Sequence, residues 1–330
     1  MSQLYPVSLN RDRSGCLKQS PFQLLNKSFF FGLLSLAFAA IAWGLQFPIA
    51  AVVFTMVDPF HVTAIRYFIA SACLVPFVFL TRSSTKKDLQ EYSATIVLLG
   101  IFGMSLSPLF VFWGLSLSTP EEASVIVATQ PTIAVMIHWF IYGVKPSKTR
   151  IFLVFTAFFG VALVITKGSF SSFFEAQSLL GNIITFSGAS LWVIYTMGTT
   201  KLRNWNSWQI TCLTMIPGVG FTVLLTAILV SSGYLNPPSI ELVVGYKYEI
   251  LYLSVFGVFF GMLAWNYGTQ IVGPLNSTLF INLIPISAFS LRTYQGHSFE
   301  SVELIGAGLV MFSLIVNNAL LRKEKVSTIK

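Results

Sequence analysis

Apolar residues occupy long runs along this chain, and short polar links separate the runs. A helix needs about 20 mostly apolar residues to cross the hydrocarbon core of a bilayer. The pattern predicts ten such helices, near Ser28–Met56, Pro59–Leu80, Ser93–Leu117, Pro120–Tyr142, Ile151–Thr166, Leu179–Thr200, Trp208–Val230, Ile250–Val272, Pro274–Tyr294 and Val302–Leu321. None of the links is long enough to fold as a domain, so we expect a single all-α membrane unit.

The composition supports a membrane protein. Charged residues make up 10% of the chain and hydrophobic residues 55%, whereas soluble proteins carry roughly 25% charged residues. So few charges cannot cover a water-facing surface, which excludes a soluble globular protein and a disordered chain. Three cysteines give no disulfide framework.

The basic residues predict the orientation of the chain. With the N-terminus inside and ten crossings, 16 of the 20 Lys and Arg residues lie on the inner side. Lys and Arg favour cytoplasmic links, so we expect cytoplasmic tails at 1–27 and 322–330 of a multi-pass protein in the cell (inner) membrane. The net charge of +8 then reflects topology, with the lipid bilayer as a partner and no nucleic acid.

The chain also contains an internal repeat. When the sequence is shifted by 154 residues, Ile101–Pro131 aligns with Val255–Pro285 without a gap, and the identities are mostly Gly and Pro. We therefore predict two copies of a five-helix unit, at 28–167 and 177–321. An odd number of helices inverts the second copy, and secondary transporters use inverted repeats for alternating access.

The repeat resembles the EamA-type unit of the drug/metabolite transporter superfamily. The matching features are Trp43–Gly44, Pro59 with Arg66, Gly103, Gly114, Pro131 and Gly160, followed by Gly257, Gly268, Pro285 and Gly306 in the second copy. The resemblance implies a secondary transporter of a small polar metabolite, since the superfamily handles amino acids, amphipathic cations, nucleotide sugars and nucleoside-derived cofactors.

Two prolines suggest where a substrate binds. Pro131 and Pro285 lie near half depth in spans 4 and 9, and transporters of this kind bind substrate where helices are interrupted near the midplane. Gln130 and Asn282 add side-chain amides at similar depth. The alternative is that both prolines only kink helices for packing.

Other candidates come from spans 1, 2, 6 and 8. Trp43 and Gln46 in span 1, Tyr195 in span 6 and Asn266 in span 8 suit a pocket wall that takes a flat ring or a cation, or they serve packing alone. Arg66 is the only basic residue clearly inside a span. Such charges are costly and mark either a site or a structural pair, and the sequence leaves both roles open.

The acidic residues bear on energy coupling. All 12 fall in a tail, a link or the first turns of a span, which leaves His138 as the sole relay candidate. Proton-coupled carriers place acids or His within the bundle, so substrate exchange or facilitated movement is favoured over proton symport. The alternative is a proton-coupled exporter of amino acids or drug-like compounds.

A membrane-embedded enzyme is the main rival class. The sequence has no acid cluster, no metal motif and no phosphate loop, so we expect no catalysis, metal or cofactor. The aromatic and amide candidates suit an amino-acid-like or nucleoside-derived substrate such as S-adenosylmethionine. The sequence leaves a homodimer open.

Overall fold

The structure, a computed structural model, describes residues 27–80, 86–143, 145–169, 176–202, 205, 207–273 and 277–327. Most of the predicted N-terminal tail, the end of the C-terminal tail and Pro274 lie outside these ranges. Within them the chain is helical and has no β-strand. The helices are α1 (Lys27–Val53), α2 (Pro59–Leu80), α3 (Lys86–Leu99, continued by Gly100–Leu106 and Ser107–Leu117), α4 (Pro120–Ala128), α5 (Gln130–Tyr142), α6 (Lys148–Thr166), α7 (Ala176–Thr199), α8 (Ser207–Ser231), α9 (Ile240–Gly245), α10 (Lys247–Leu251, continued by Tyr252–Phe260 and Gly261–Val272), α11 (Leu283–Tyr294) and α12 (Ser301–Ser327).

Seven of the described helices are long and apolar enough to cross a membrane: α1, α3, α6, α7, α8, α10 and α12. The pair α4 and α5 adds an eighth when it is counted as one span with a bend of 47°. The prediction of an all-helical membrane protein is therefore confirmed. The second and ninth predicted spans are also helical: α2 covers the second, and the 3-10 helix Thr278–Asn282 with α11 covers the described part of the ninth.

Two predicted boundaries differ from the structure. The polar segment before the third span is helical from Lys86, and α12 continues into the predicted C-terminal tail as far as Ser327. The polar residues at these ends extend the helices beyond the apolar runs. Hydropathy alone therefore placed the start of the third helix too late and the end of the last helix too early.

The outer surface of the bundle is apolar, as a surface facing lipid requires. On α6, for example, Phe152, Phe155 and Phe159 are 66%, 69% and 60% exposed. They lie on one face because residues three and four apart are neighbours on a helix. Helices satisfy their own backbone hydrogen bonds, which is a condition for crossing hydrocarbon.

Small residues set the closest helix contacts. The last part of α3 packs against α7, where a Cβ atom at Gly114 would lie 2.4 Å from the Gly181 carbonyl oxygen. The last part of α10 packs against α1 in the same way, with a Cβ at Gly268 lying 2.7 Å from the Gly32 carbonyl oxygen. Glycines let helix backbones approach closely in a membrane.

Helices α6 and α12 make a reciprocal contact. A Cβ atom at Gly160 would lie 2.6 Å from the carbonyl oxygen of Gly306, and one at Gly306 would lie 2.6 Å from that of Gly160. The neighbours are reciprocal too, since Gly160 faces Leu309 and Gly306 faces Leu163. Contacts in which i meets j and j meets i are the mark of two-fold symmetry.

Two helices contain a π-helical segment. In α3 it covers Gly100–Leu106, and in α10 it covers Tyr252–Phe260. A shift of 154 residues superimposes the first segment on the end of the second. The wider turn changes the direction in which side chains leave the helix, and such segments are frequent at functional sites.

Candidate functional site

A cavity of about 110 Å³ lies in the bundle and draws residues from both halves of the chain. Its walls combine aromatic rings with a few polar groups, which is the usual make-up of a small-molecule site. The lining residues are Trp43, Gln46, Phe47, Arg66, Tyr67, Ser107, Pro108, Val111, Phe112, Val127, Gln130, Trp192, Gly257, Val258, Met262, Trp265, Ile281 and Ile284. Four residues proposed from the sequence are among them, namely Trp43, Gln46, Arg66 and Gln130.

Arg66 is the only charged residue among these lining residues. Its side chain is 3% exposed, and its Nη1 donates to Gln46 Oε1 at 3.0 Å. The guanidinium carbon lies 3.5 Å from the centre of the Phe112 ring, so the cation stacks on an aromatic face. Its Nε has no hydrogen-bond partner in the structure, and no carboxylate of the described residues lies within 4.0 Å.

Trp43 forms a second wall of the cavity. Its Nε1 donates to the Gly257 carbonyl oxygen at 2.8 Å, inside the π-helical segment of α10. Its ring centre lies 5.1 Å from that of Trp265, at an interplanar angle of 41°. Trp192 of α7 also lines the cavity, so three indole rings border the space, which suits a flat or apolar part of a solute.

Three polar residues proposed from the sequence do not line this cavity. Tyr195 is buried, and its hydroxyl lies 3.3 Å from the Thr214 hydroxyl. Asn266 donates to Thr211 Oγ1 at 2.7 Å, which ties α10 to α8. Asn282 donates to a backbone carbonyl of its own 3-10 helix at 2.9 Å, and its Oδ1 is buried without a partner among the residues that the structure describes. In this structure they serve helix packing, and their role in binding stays a prediction.

The two prolines mark breaks rather than the cavity wall. Pro131 follows the bend of 47° between α4 and α5, and Pro285 is buried in the first turn of α11, after the 3-10 helix. Proline is tolerated in the first turn because the N–H that it lacks has no partner there. The prolines therefore start new helical segments, and Gln130 next to Pro131 reaches the cavity.

The internal repeat could have revealed several lining residues that were missed. Trp192 lies 149 residues after Trp43, and Trp265 lies 154 residues after Val111. Further pairs related by 154 residues line the cavity together: Pro108 with Met262, Val127 with Ile281 and Gln130 with Ile284. Applying the offset to the candidates Gln130 and Asn266 would have placed Ile284 and Phe112 in the wall.

The structure corrects the expectation about acidic residues. Glu121, Glu122 and Glu303 lie in first turns, as the sequence indicated, but they are only 2%, 4% and 2% exposed. A first-turn position places an acid at the end of a helix, but neighbouring helices can still enclose it. His138, the relay candidate, is instead exposed on α5.

Comparison with known proteins identifies the family. The sequence model of the EamA-like transporter family matches residues 30–166 and again residues 179–319. The chain is 33% identical over 299 residues to YrdR of Bacillus subtilis (strain 168), an uncharacterized transporter, covering 89% of this chain and 93% of that protein. It is 26% identical over 291 residues to YyaM, an uncharacterized transporter of the same organism, covering 88% and 94%.

A solved crystal structure has the same fold. It matches 90% of this chain and 98% of its own with a TM-score of 0.61, at 19% sequence identity. The resemblance found in the sequence is confirmed by the family match and by the relatives. The chain belongs to the EamA-like transporter family and is a multi-pass membrane transporter.

Proposed function

We propose that the protein is a secondary transporter with ten membrane-spanning helices, arranged as two inverted five-helix repeats at 28–167 and 177–321. The two repeats rock against each other and expose the central cavity alternately to the two sides of the cell membrane. Both chain ends lie in the cytoplasm. The reciprocal contact of Gly160 and Gly306 and the pairs of equivalent residues around the cavity support this arrangement.

The substrate is a small metabolite that carries a carboxylate next to an apolar or flat group. One observation carries this proposal: Arg66 lies buried in the cavity wall, and among the described residues one of its donors is unused and no carboxylate lies within 4.0 Å. An isolated buried charge is expensive, and a substrate carboxylate would supply the missing partner. Guanidinium groups bind carboxylates through paired hydrogen bonds.

The size of the cavity favours an amino-acid-like solute. At about 110 Å³ it is smaller than the roughly 300–1,000 Å³ of sites for drug-sized ligands. The three indoles would cover the apolar side chain while Gln46 and Gln130 bind polar groups. A nucleoside-derived substrate such as S-adenosylmethionine requires the repeats to separate further.

Energy coupling is the point on which the structure changes the expectation. Exchange was favoured because no acid was expected inside the bundle. The buried Glu121, Glu122 and Glu303 support the alternative of proton coupling, since buried acids are typical of proton-driven carriers.

A transport assay with matched solutes tests the substrate class. Purified protein in proteoliposomes is given phenylalanine, its decarboxylated analogue phenethylamine, and S-adenosylmethionine. We expect the variant Arg66→Ala to slow transport of the carboxylate solutes by about tenfold or more, because charge-assisted hydrogen bonds contribute roughly 1.5–3 kcal/mol.

The amine serves as the internal control. It has no carboxylate for Arg66 to bind, so its transport should change little in Arg66→Ala. Arg66→Lys keeps the charge but loses the planar guanidinium. Its transport rate for the carboxylate solutes should lie between those of the unaltered protein and of Arg66→Ala. Equal slowing of all solutes would mean that Arg66 is structural, and that outcome would remove it from the site.

A further inference from the structure

Two of the three buried carboxylates have a basic partner. Arg292 Nε donates to Glu121 Oε1 at 2.7 Å, and Lys167 Nζ lies 3.7 Å from Glu303 Oε1. Both ion pairs join the first half of the chain to the second. His297 Nε2 lies 4.0 Å from Glu121 and is the remaining basic group of this cluster.

Glu122 differs because no basic side chain of the described residues lies within 4.0 Å of its carboxylate. Its Oε2 accepts from Asn182 Nδ2 at 2.5 Å and from Ser178 Oγ at 2.9 Å. Both donors are neutral and both belong to α7, in the second half. A charged carboxylate that is 4% exposed and lacks a cation partner carries a large desolvation cost.

The charged groups around Glu122 come from few elements. Lys167 follows α6, Arg292 belongs to α11, His297 to the link after it, and Glu303 to α12. Described α1, α7 and the last part of α3, which also pack near α4, bring no charged side chain to this end. The charge of Lys167 also attracts Glu122 from a greater distance, but Lys167 and Arg292 form their ion pairs with Glu303 and Glu121, so among the described residues Glu122 has no ion-pair partner of its own.

Asn182 is suited to either protonation state of Glu122. Its Oδ1 is buried and has no hydrogen-bond partner in the described part of the chain, while its Nδ2 is bound to Glu122. A carboxylate only accepts, but a protonated carboxyl also donates. A half-turn of the Asn182 amide would present Oδ1 to the new O–H, so the site can hold the acid as well as its anion.

Glu122 also has a structural role that must be separated from proton binding. The Thr119 hydroxyl accepts from the Glu122 N–H at 3.3 Å and caps the start of α4, in a Thr-Pro-Glu-Glu sequence that matches the capping-box pattern. A glutamine fills this capping position as well as a glutamate does. Glu122→Gln therefore keeps the cap and removes the titratable group.

We propose that Glu122 is the proton-binding site of this transporter, a proposal that rests on the secondary-transport function given above. A proton from solution binds to the Glu122 carboxylate and leaves to solution from the same group after the repeats have moved. When the carboxylate is neutral, its bonds to α7 lose their charge assistance, which makes them roughly half as strong. Proton binding thus loosens a contact between the two halves.

Infrared spectroscopy tests proton binding without any substrate. Difference spectra of the purified protein between alkaline and acidic buffer report the carbonyl band of each carboxyl group that gains a proton. We expect a band from a buried carboxyl group that Glu122→Gln lacks and that Glu241→Gln, a change at an exposed glutamate, retains. An unchanged spectrum in Glu122→Gln would overturn the proposal.

A second variant covers the case in which Glu122→Gln does not fold. Asn182→Ala removes a donor to the charged form, so a larger share of Glu122 should stay protonated in neutral buffer. The infrared band should then persist in buffers in which the unaltered protein has lost it. A band that persists no further would likewise contradict the assignment.

Transport of phenylalanine in proteoliposomes gives the functional result. We expect the amount of phenylalanine that Glu122→Gln accumulates under a pH gradient to be lower than in the unaltered protein by about tenfold or more. Counterflow with phenylalanine on both sides should continue. Retained gradient-driven accumulation would overturn the proposal. If no solute moves even in the unaltered protein, the transport function fails, and the infrared result still decides on the proton site.

Discussion

Trp43 contacts two of the three apolar clusters of the described residues at the edge of the cavity. It packs against the cluster around Phe47 and Phe112 and against the cluster around Met262. Its single polar group donates to Gly257 in the π-helical segment of α10 at 2.8 Å. One side chain therefore borders the cavity, joins the clusters and holds the segment on which another cavity wall is built.

Replacing Trp43 by Phe keeps an aromatic ring but removes the donor to Gly257. We expect the free energy of unfolding to fall by about 1 kcal/mol, since hydrogen bonds between membrane helices contribute roughly 0.6 to 1.7 kcal/mol. Thermal unfolding in detergent measures this change. Trp139→Phe is the matched control, because Trp139 is exposed on α5, and a loss of equal size there would contradict the role given to Trp43.

The two π-helical segments differ in how tightly they are packed, although the repeat makes them equivalent. A Cβ atom at Gly103 in α3 would lie 2.2 Å from the Tyr195 ring. At the equivalent Gly257 in α10 the nearest atom would be Gln46 Oε1, at 3.3 Å. The π-helical segment of α3 packs tightly against the ring of Tyr195, whereas that of α10 faces the flexible side chain of Gln46 at the cavity.

Substitution of Gly103 by Ala should therefore be strongly destabilising. Overpacking a well-packed core costs roughly 1–3 kcal/mol, and we expect the upper part of this range because the ring of Tyr195 is held in place by buried neighbours. Unfolding by heat in detergent gives the measurement. Gly220→Ala in α8, where a Cβ would meet nothing within 4 Å, should be neutral or slightly stabilising. Equal effects of the two changes would refute the packing difference.

At the scale of the whole molecule, polar contacts join the two halves at one end of the bundle. Glu121 pairs with Arg292, Lys167 pairs with Glu303, and Glu122 accepts from α7. By the predicted orientation this end faces outward. In the alternating-access cycle proposed above, the cavity opens toward this side only when these contacts separate.

A double-mutant cycle measures the contact between Glu121 and Arg292. Glu121 is 2% exposed and Arg292 is 27% exposed in the side chain. We expect a coupling energy of about 1–3 kcal/mol, between the values for exposed and buried ion pairs. The cycle compares thermal unfolding of Glu121→Gln, Arg292→Gln and the double variant. Strictly additive losses would mean that the two side chains do not interact in solution.

The all-helical membrane fold was predictable because lipid imposes long apolar helices. The cavity was only partly predictable. Trp43, Gln46, Arg66 and Gln130 line it, but Tyr195 and Asn266 instead bond to α8. Sequence gives the depth of a residue in its helix, but the direction that the residue faces depends on how the helices pack. In α10 the π-helical turns that precede Asn266 rotate the side chains further.

The burial of Glu121 and Glu122 could not be predicted from the sequence, for a related reason. Their place in a first turn matches the usual preference for acids near helix N-termini, which normally leaves them in water. Burial depends on which other helix ends meet there, in this case those of α11 and α7. That meeting is a property of the assembled bundle.

The internal repeat does not provide an equivalent of the ion pair between Glu121 and Arg292, because the residue equivalent to Glu121 is Leu275. The shift of 154 residues that relates the repeats carries Arg292 onto His138, which is exposed on α5. If the two repeats exchange conformations during transport, the ion pair between Glu121 and Arg292 can form in only one of the two end states. Without substrate, the transporter should then spend most of its time closed at the Glu121 end and open toward the opposite side of the membrane.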